Sequence, residues 1–128
     1  MTPREQQRAN RIVWFEIPVQ DMDRAVRFYE TVLETKLKRE QAGPTPIAIF
    51  TYDPPFVSGC LAKDEKLQPS AQGSLVYLNA DPNLDSALER AEASGGQVVT
   101  PKTPLPGLGF YASIRDTEGN TVGLHAIS

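Results

Sequence analysis

The sequence predicts an α+β fold of two β-α-β-β-β modules that form a paired half-barrel, within one domain of 128 residues. Three observations lead there. A strand, cap and helix pattern occurs twice, starting near Arg11 and again near Gly73. After each helix come short strand-like runs broken by turn residues, and no further helix. The length suits one hydrophobic core and is short for two. The modules are expected over about residues 11–65 and 72–128.

In the first module, Ile12 to Val19 is rich in β-branched and aromatic residues, as a strand requires. Asp21 is a good helix N-cap, and Met22, Ala25, Val26, Tyr29, Val32 and Leu33 follow at helical spacing. Thr35 to Arg39, Ile47 to Tyr52 and Val57 to Lys63 then read as strands, punctuated by Gly43-Pro-Thr-Pro46 and Asp53-Pro-Pro55. In the second module Ser74 to Leu78 is the strand. Asp81-Pro82 supplies a cap and a first-turn proline, and Leu84, Ala87, Leu88 and Ala91 form the apolar stripe. Gly95-Gly96 ends that helix. Gln97 to Thr100, Phe110 to Arg115 and Thr121 to Ile127 complete the module, with Asp116-Thr-Glu-Gly-Asn120 as a hairpin turn. Asp21 and Asp81 follow Trp14 and Ser74 at equal distance, which aligns those two first-strand positions.

Composition narrows the function. A net charge of -3 gives no basic field to hold phosphates, so nucleic acid is excluded and small molecules or proteins remain as partners. Cys60 is the single cysteine, which rules out an internal disulfide and any multi-cysteine zinc site. Met1 to Asn10 are polar, and no run approaches the ~20 apolar residues of a membrane span. A cytoplasmic protein with no membrane partner and a loosely packed N-terminal arm is expected.

Phe15-Glu-Ile-Pro-Val-Gln-Asp21, Arg24-Ala-Val-Arg-Phe-Tyr-Glu-Thr-Val-Leu33 and Asp116-Thr-Glu-Gly-Asn-Thr-Val-Gly-Leu124 together resemble the vicinal-oxygen-chelate superfamily, which includes glyoxalase I and bleomycin-resistance proteins. The ending is most similar to a metal-poor, glyoxalase-related branch that also reads Asp-x-Glu-Gly-Asn-x-Val-Gly-Leu-His. The resemblance implies a barrel in which first and last strands of each module present His, Gln or Glu to a divalent metal. The matching positions here are Trp14, Cys60, Ser74 and Gly123. None is a nitrogen or carboxylate donor, so no metal and no other cofactor is expected. The family also implies association as a homodimer.

Strand alternation supplies the remaining candidates, because residues two apart share a face. With Trp14 facing the cavity, Glu16 follows it; with Gly123, Thr121 and His125 do; across the hairpin, Tyr111 and Ser113 join them. Glu16 is a candidate general base, with His125 and Tyr111 as candidate acids or polarising groups. Each has a plainer reading as a solvated glutamate, a terminal histidine or a wall tyrosine. Trp14, Cys60, Ser74 and Ser113 are candidate ligand-pocket residues, Cys60 being better read as an inert buried thiol than as a nucleophile. Pro101 to Gly109 reads either as a lid at the cavity mouth or as a stiff connector. Two functions follow: a metal-independent lyase or isomerase using Glu16 and His125, or a bleomycin-resistance type binding protein that holds a flat compound against Trp14 and Tyr111.

Overall fold

The computed structural model describes Thr2, Glu5 and residues 10–53 and 56–128. Most of the expected N-terminal arm, and Pro54-Pro55 of the expected turn, lie outside the described residues. The order is β1 (Trp14–Pro18), α1 (Met22–Leu33), β2 (Leu37–Ala42), β3 (Thr45–Phe50), β4 (Ser58–Ala62), β5 (Tyr77–Asn79), α2 (Leu84–Ala93), β6 (Gln97–Leu105), β7 (Gly109–Arg115) and β8 (Thr121–Ala126). Two four-stranded mixed sheets result, ordered β1-β4-β3-β2 and β5-β8-β7-β6. In each, the first strand runs parallel to the last and the others pair antiparallel. The α+β architecture of two repeated modules is the one the repeat predicted.

Alternation along each strand decides which face is covered. Phe15, Ile17 and Val19 turn toward α1, where Ala25, Tyr29 and Val32 are fully buried. Val122, Leu124 and Ala126 do the same beneath α2, against Leu84, Ala87 and Ala91. The two helices also touch each other. There Arg90 of α2 donates from its guanidinium to the carbonyls of Thr31 and Val32 at 2.9–3.1 Å. The last turn of α1 carries no basic residue of its own, so a cation from the other module meets its exposed carbonyls.

The helix boundaries follow side-chain caps. The Asp21 carboxylate accepts from Arg24 N at 3.0 Å, as its sequence position implied. In α2 the cap is Asn83 and not Asp81: the Asn83 side-chain Oδ1 accepts from Ser86 N at 2.9 Å, so Pro82 precedes the cap instead of opening the helix. Asp81 has other work, its carboxylate accepting from Ile127 N at 2.7 Å. Strand edges shift as well. β2 and β3 pair around Gly43, whose φ of +61° makes a tight turn, so β2 runs later and β3 begins earlier than the residue pattern indicated. Pro101 to Leu105 extend β6, an edge strand where a missing proline N–H costs no ladder bond. With Gly109 opening β7, the segment 101–109 is a hairpin connector. Gly109 has φ +86°, and a Cβ there would sit 2.4 Å from the Ala126 carbonyl oxygen.

The turn Asp116-Thr-Glu-Gly-Asn120 binds the two modules. Asp116 accepts from the Tyr29 hydroxyl at 2.6 Å and from the N–H groups of Glu118 and Asn120 at 2.8 Å. The Asn120 amide donates to the Pro18 carbonyl at 2.7 Å. The Glu118 side chain is completely buried. It accepts from the backbone N–H of Gln20 and Asp21, both at 2.8 Å, and from the Arg24 guanidinium at 2.7 and 3.0 Å. Burial by itself pushes a carboxyl pKa up, but the Arg24 guanidinium and those N–H groups outweigh it and hold Glu118 at about 2.

A folded-state pKa below the unfolded value stabilises the protein above the unfolded pKa, and that contribution fades as pH falls toward about 2. Between pH 6 and pH 3 the native chain is expected to lose roughly 2 kcal/mol more stability than Glu118→Gln, read by urea denaturation. Parallel pH profiles would show that Glu118 is not an ionised staple. A second expectation concerns backbone strain: Gly109→Ala is expected to lower stability by about 2 kcal/mol or more, because the obstacle is backbone that cannot swing aside. A thermal melt like that of the unsubstituted chain would refute it.

Candidate functional site

With helices on one side, each sheet leaves its other face open. On the first sheet that face carries Trp14 and Glu16 of β1, with Ser58 and Cys60 directly opposite them on β4. Trp14 is 37% exposed and meets Tyr52 edge to face, with ring centroids 5.9 Å apart. Cys60 is buried, and burial pushes its thiol pKa up. The Trp14 indole N–H works against this shift, while the Glu16 carboxylate adds to it. Such a thiol is a poor nucleophile at neutral pH.

On the second sheet, Tyr111, Ser113 and Arg115 of β7 face His125, Gly123 and Thr121 of β8 in register. Tyr77 of β5 lies opposite Gly123, and Asn79 opposite His125. A Cβ on Gly123 would lie 2.3 Å from the Tyr77 ring, so the ring fills the space that a side chain at 123 would need. Tyr77 also meets Tyr111 edge to face at 6.2 Å. His125 Nε2 stands 2.5 Å from the Leu108 carbonyl oxygen. A carbonyl only accepts, so Nε2 carries the proton and donates it, leaving Nδ1 as the free ring nitrogen.

Glu16, Trp14 and Cys60 thus share one sheet face, and Tyr111, Ser113, Gly123 and His125 share the other. Tyr111 and His125 are cross-strand neighbours, but Glu16, Tyr111 and His125 make no hydrogen bond with one another. Ser74 is displaced from its expected place: it precedes β5 and belongs to no strand. Val19 N–H donates to Ala62 and Ala80 N–H to His125 in the same closing bond of each module. That bond makes Leu75, not Ser74, the counterpart of Trp14. A one-residue slip in a strand exchanges the two faces, which is why Tyr77, absent from the sequence reading, takes the inner position. Ser74 and Glu16 nevertheless line one 240 Å³ cleft, with Asn120 and Thr121, where β1 approaches β8. A second cleft, of 790 Å³, opens between the free edge of β5 and Phe15, Phe50 and Val57 of the first module.

The donor chemistry at the four family metal positions does not fit a divalent metal. Trp14 offers an indole, Gly123 no side chain, Cys60 a thiol whose ionisation burial opposes, and the fourth position either the Ser74 hydroxyl outside the strand or, by the structural match, the apolar Leu75. Among the described residues no group of three or more His, Cys, Asp or Glu side chains is placed to hold a metal ion.

The sequence model of the Glyoxalase/Bleomycin resistance protein/Dioxygenase superfamily matches residues 11–124. The chain belongs to that superfamily. A glyoxylase-like domain-containing protein of Didymella fabae is 30% identical over 118 residues, 88% of each chain. The crystal structure of glyoxalase I from Zea mays superposes with a TM-score of 0.66 at 22% identity, over 89% of this chain and 45% of the maize chain. The present chain therefore spans about half of that enzyme. A glyoxalase/bleomycin resistance protein from Streptomyces sp. CB03234 is 26% identical, with a TM-score of 0.66 over 88% of this chain and 97% of its own. Superfamily membership and fold are thereby established together. No described helix is long and apolar enough to cross a membrane.

Cys60 is expected to react with Ellman's reagent at least ~100-fold more slowly in the folded chain than in denaturant, given its burial and raised pKa. Comparable rates in the two states would show the thiol to be accessible. Gly123→Ala is expected to move Tyr77 off the sheet while costing less stability than Gly109→Ala, because a half-exposed ring can turn outward and a carbonyl cannot. The Tyr77 ring resonances, followed by NMR, check the displacement.

Proposed function

We propose that this chain is a glyoxalase-related small-molecule protein that works without the superfamily's metal, holding flat compounds on its open sheet faces. The observation that carries this reading is the pair of edge-to-face aromatic contacts, Trp14 with Tyr52 and Tyr77 with Tyr111, on faces the helices leave uncovered. Rings of this kind offer large apolar area with little entropy to lose on binding. Binding by apposed aromatics requires no general base, which agrees with a Glu16, Tyr111 and His125 set that is not joined by hydrogen bonds. A second copy is part of this reading, because β1, β2, β5 and β6 each have one edge unpaired among the described residues, where another chain can associate.

A lyase or isomerase activity is the second reading, favoured by one observation. Glu16 makes no hydrogen bond or ion pair among the described residues and lines the 240 Å³ cleft beside Ser74 and Thr121. A carboxylate free of partners and facing a cleft is available to take a proton from a bound compound.

Trp14 is the only tryptophan, so its fluorescence reports directly on the first face. Flat aromatic compounds are expected to quench it saturably, and Tyr52→Ala is expected to weaken the interaction about tenfold, by analogy with the loss of an aromatic contact plus buried area. Unsaturable quenching identical to that of free tryptophan would sink the binding reading. Proton exchange or turnover that disappears in Glu16→Gln, with ligand affinity retained, would establish the enzymatic one instead. Analytical ultracentrifugation checks the dimer, which a monomer at micromolar concentrations would exclude.

A further inference from the structure

Resting on the reading of the open faces as small-molecule walls, we propose that the second module's face is a site for a planar aromatic carboxylate. Three side chains two apart on β7 make it: Tyr111, Ser113 and Arg115. Residues two apart on a strand lie about 7 Å from one another on the same face. Tyr77, opposite Gly123 and so level with Ser113, brings aromatic surface to within one such step of Arg115, a span that suits a benzoate-sized molecule.

Ser113 is only 5% exposed and its hydroxyl makes no hydrogen bond to another described residue; it is not a buried orphan and so reaches solvent on the open face. A hydroxyl so placed exchanges a water for a ligand oxygen. Arg115 donates from Nε to the Thr121 hydroxyl at a long 3.3 Å and forms no ion pair among the described residues. Its terminal N–H groups remain for an acceptor, whereas Arg24, Arg39 and Arg90 are each engaged by a carboxylate. The planar guanidinium fork matches a carboxylate in two parallel bonds.

No acidic residue shares this face on β7 or β8. The neighbouring acids Asp116 and Glu118 are buried and turned to Tyr29 and Arg24. The face therefore favours an anion at the Arg115 end, while the Tyr77 and Tyr111 rings receive an apolar plane at the other. Tyr77 can lie there only because residue 123 is glycine. Glu16, which shares its cleft with Thr121, sets a negative charge on the β1 side and limits how strongly an anion is held.

Titration of the full-length chain with benzoate, its uncharged isostere benzamide, and the non-planar cyclohexanecarboxylate tests this by calorimetry and by NMR mapping. Benzoate is expected to bind at least about tenfold tighter than benzamide, the effect of a charge-assisted pair, and to shift the resonances of Ser113 and the Arg115 side chain. Arg115→Gln is expected to erase the difference between benzoate and benzamide. Tyr111→Leu is expected to erase that between benzoate and cyclohexanecarboxylate, and Glu16→Gln to tighten benzoate a few-fold. Equal affinity for benzoate and benzamide, or an Arg115→Gln chain that still prefers benzoate, overturns the proposal. If both aromatics bind equally and still quench Trp14, the walls stand and the acid site fails. If no aromatic compound binds saturably, both readings fall. The NMR map of the unsubstituted chain decides the location independently of how any variant folds.

Discussion

The carboxylate of Glu118 lies wholly inside the protein, two residues into a hairpin turn of the second module, and apart from the adjacent Thr117 hydroxyl everything it binds belongs to the first. Two backbone amides at the start of α1 and the Arg24 guanidinium converge on it. A buried carboxylate lacking those donors would destabilise the fold by several kcal/mol. With them, it fixes where β8 begins relative to where β1 ends. Asn120 and Asp116 reinforce the join through the Pro18 carbonyl and the Tyr29 hydroxyl. The relation between the two sheets, and so between their open faces, depends on this turn together with the helix contact at Arg90.

Glycines decide how closely strands and side chains approach elsewhere. A Cβ at Gly59 would lie 2.5 Å from the Phe15 ring, and one at Gly123 would lie 2.3 Å from the Tyr77 ring. The two contacts fall on opposite sides of their sheets. Phe15 serves the helix-covered core, whereas Tyr77 occupies the open face. The same device, an aromatic ring laid over a glycine in the neighbouring strand, thus builds core in one module and candidate site in the other.

On the proposed reading of a chain that works without the superfamily's metal, the matched positions carry an indole, a buried thiol and a glycine, and the counterpart of Trp14 in the second module is Leu75. The space is not vacant. Tyr77 lies over Gly123, and Trp14 packs against Tyr52. The single histidine is tied through Nε2 to the hairpin at Leu108, which orients its ring but removes that nitrogen from any role as an acceptor.

Local pattern was enough to determine the repeat, both helices, most strands and the faces of Glu16, Ser113 and His125, because helical and strand periodicities are properties of neighbouring residues. The identities of Trp14, Cys60 and Gly123 were equally plain, since a residue's chemistry travels with its identity. Tertiary structure decided the rest. The choice of Asn83 over Asp81 as cap depended on Asp81 being drawn to Ile127, 46 residues away. Whether Ser74 or Leu75 matches Trp14 depended on the bond between Ala80 and His125, and Tyr77 and Tyr52 entered the site only through contacts with distant strands. Glu118 reads in sequence as one residue of a hairpin turn. Only burial against α1 makes it the joint between modules, because its partners are set by long-range packing and leave no local trace.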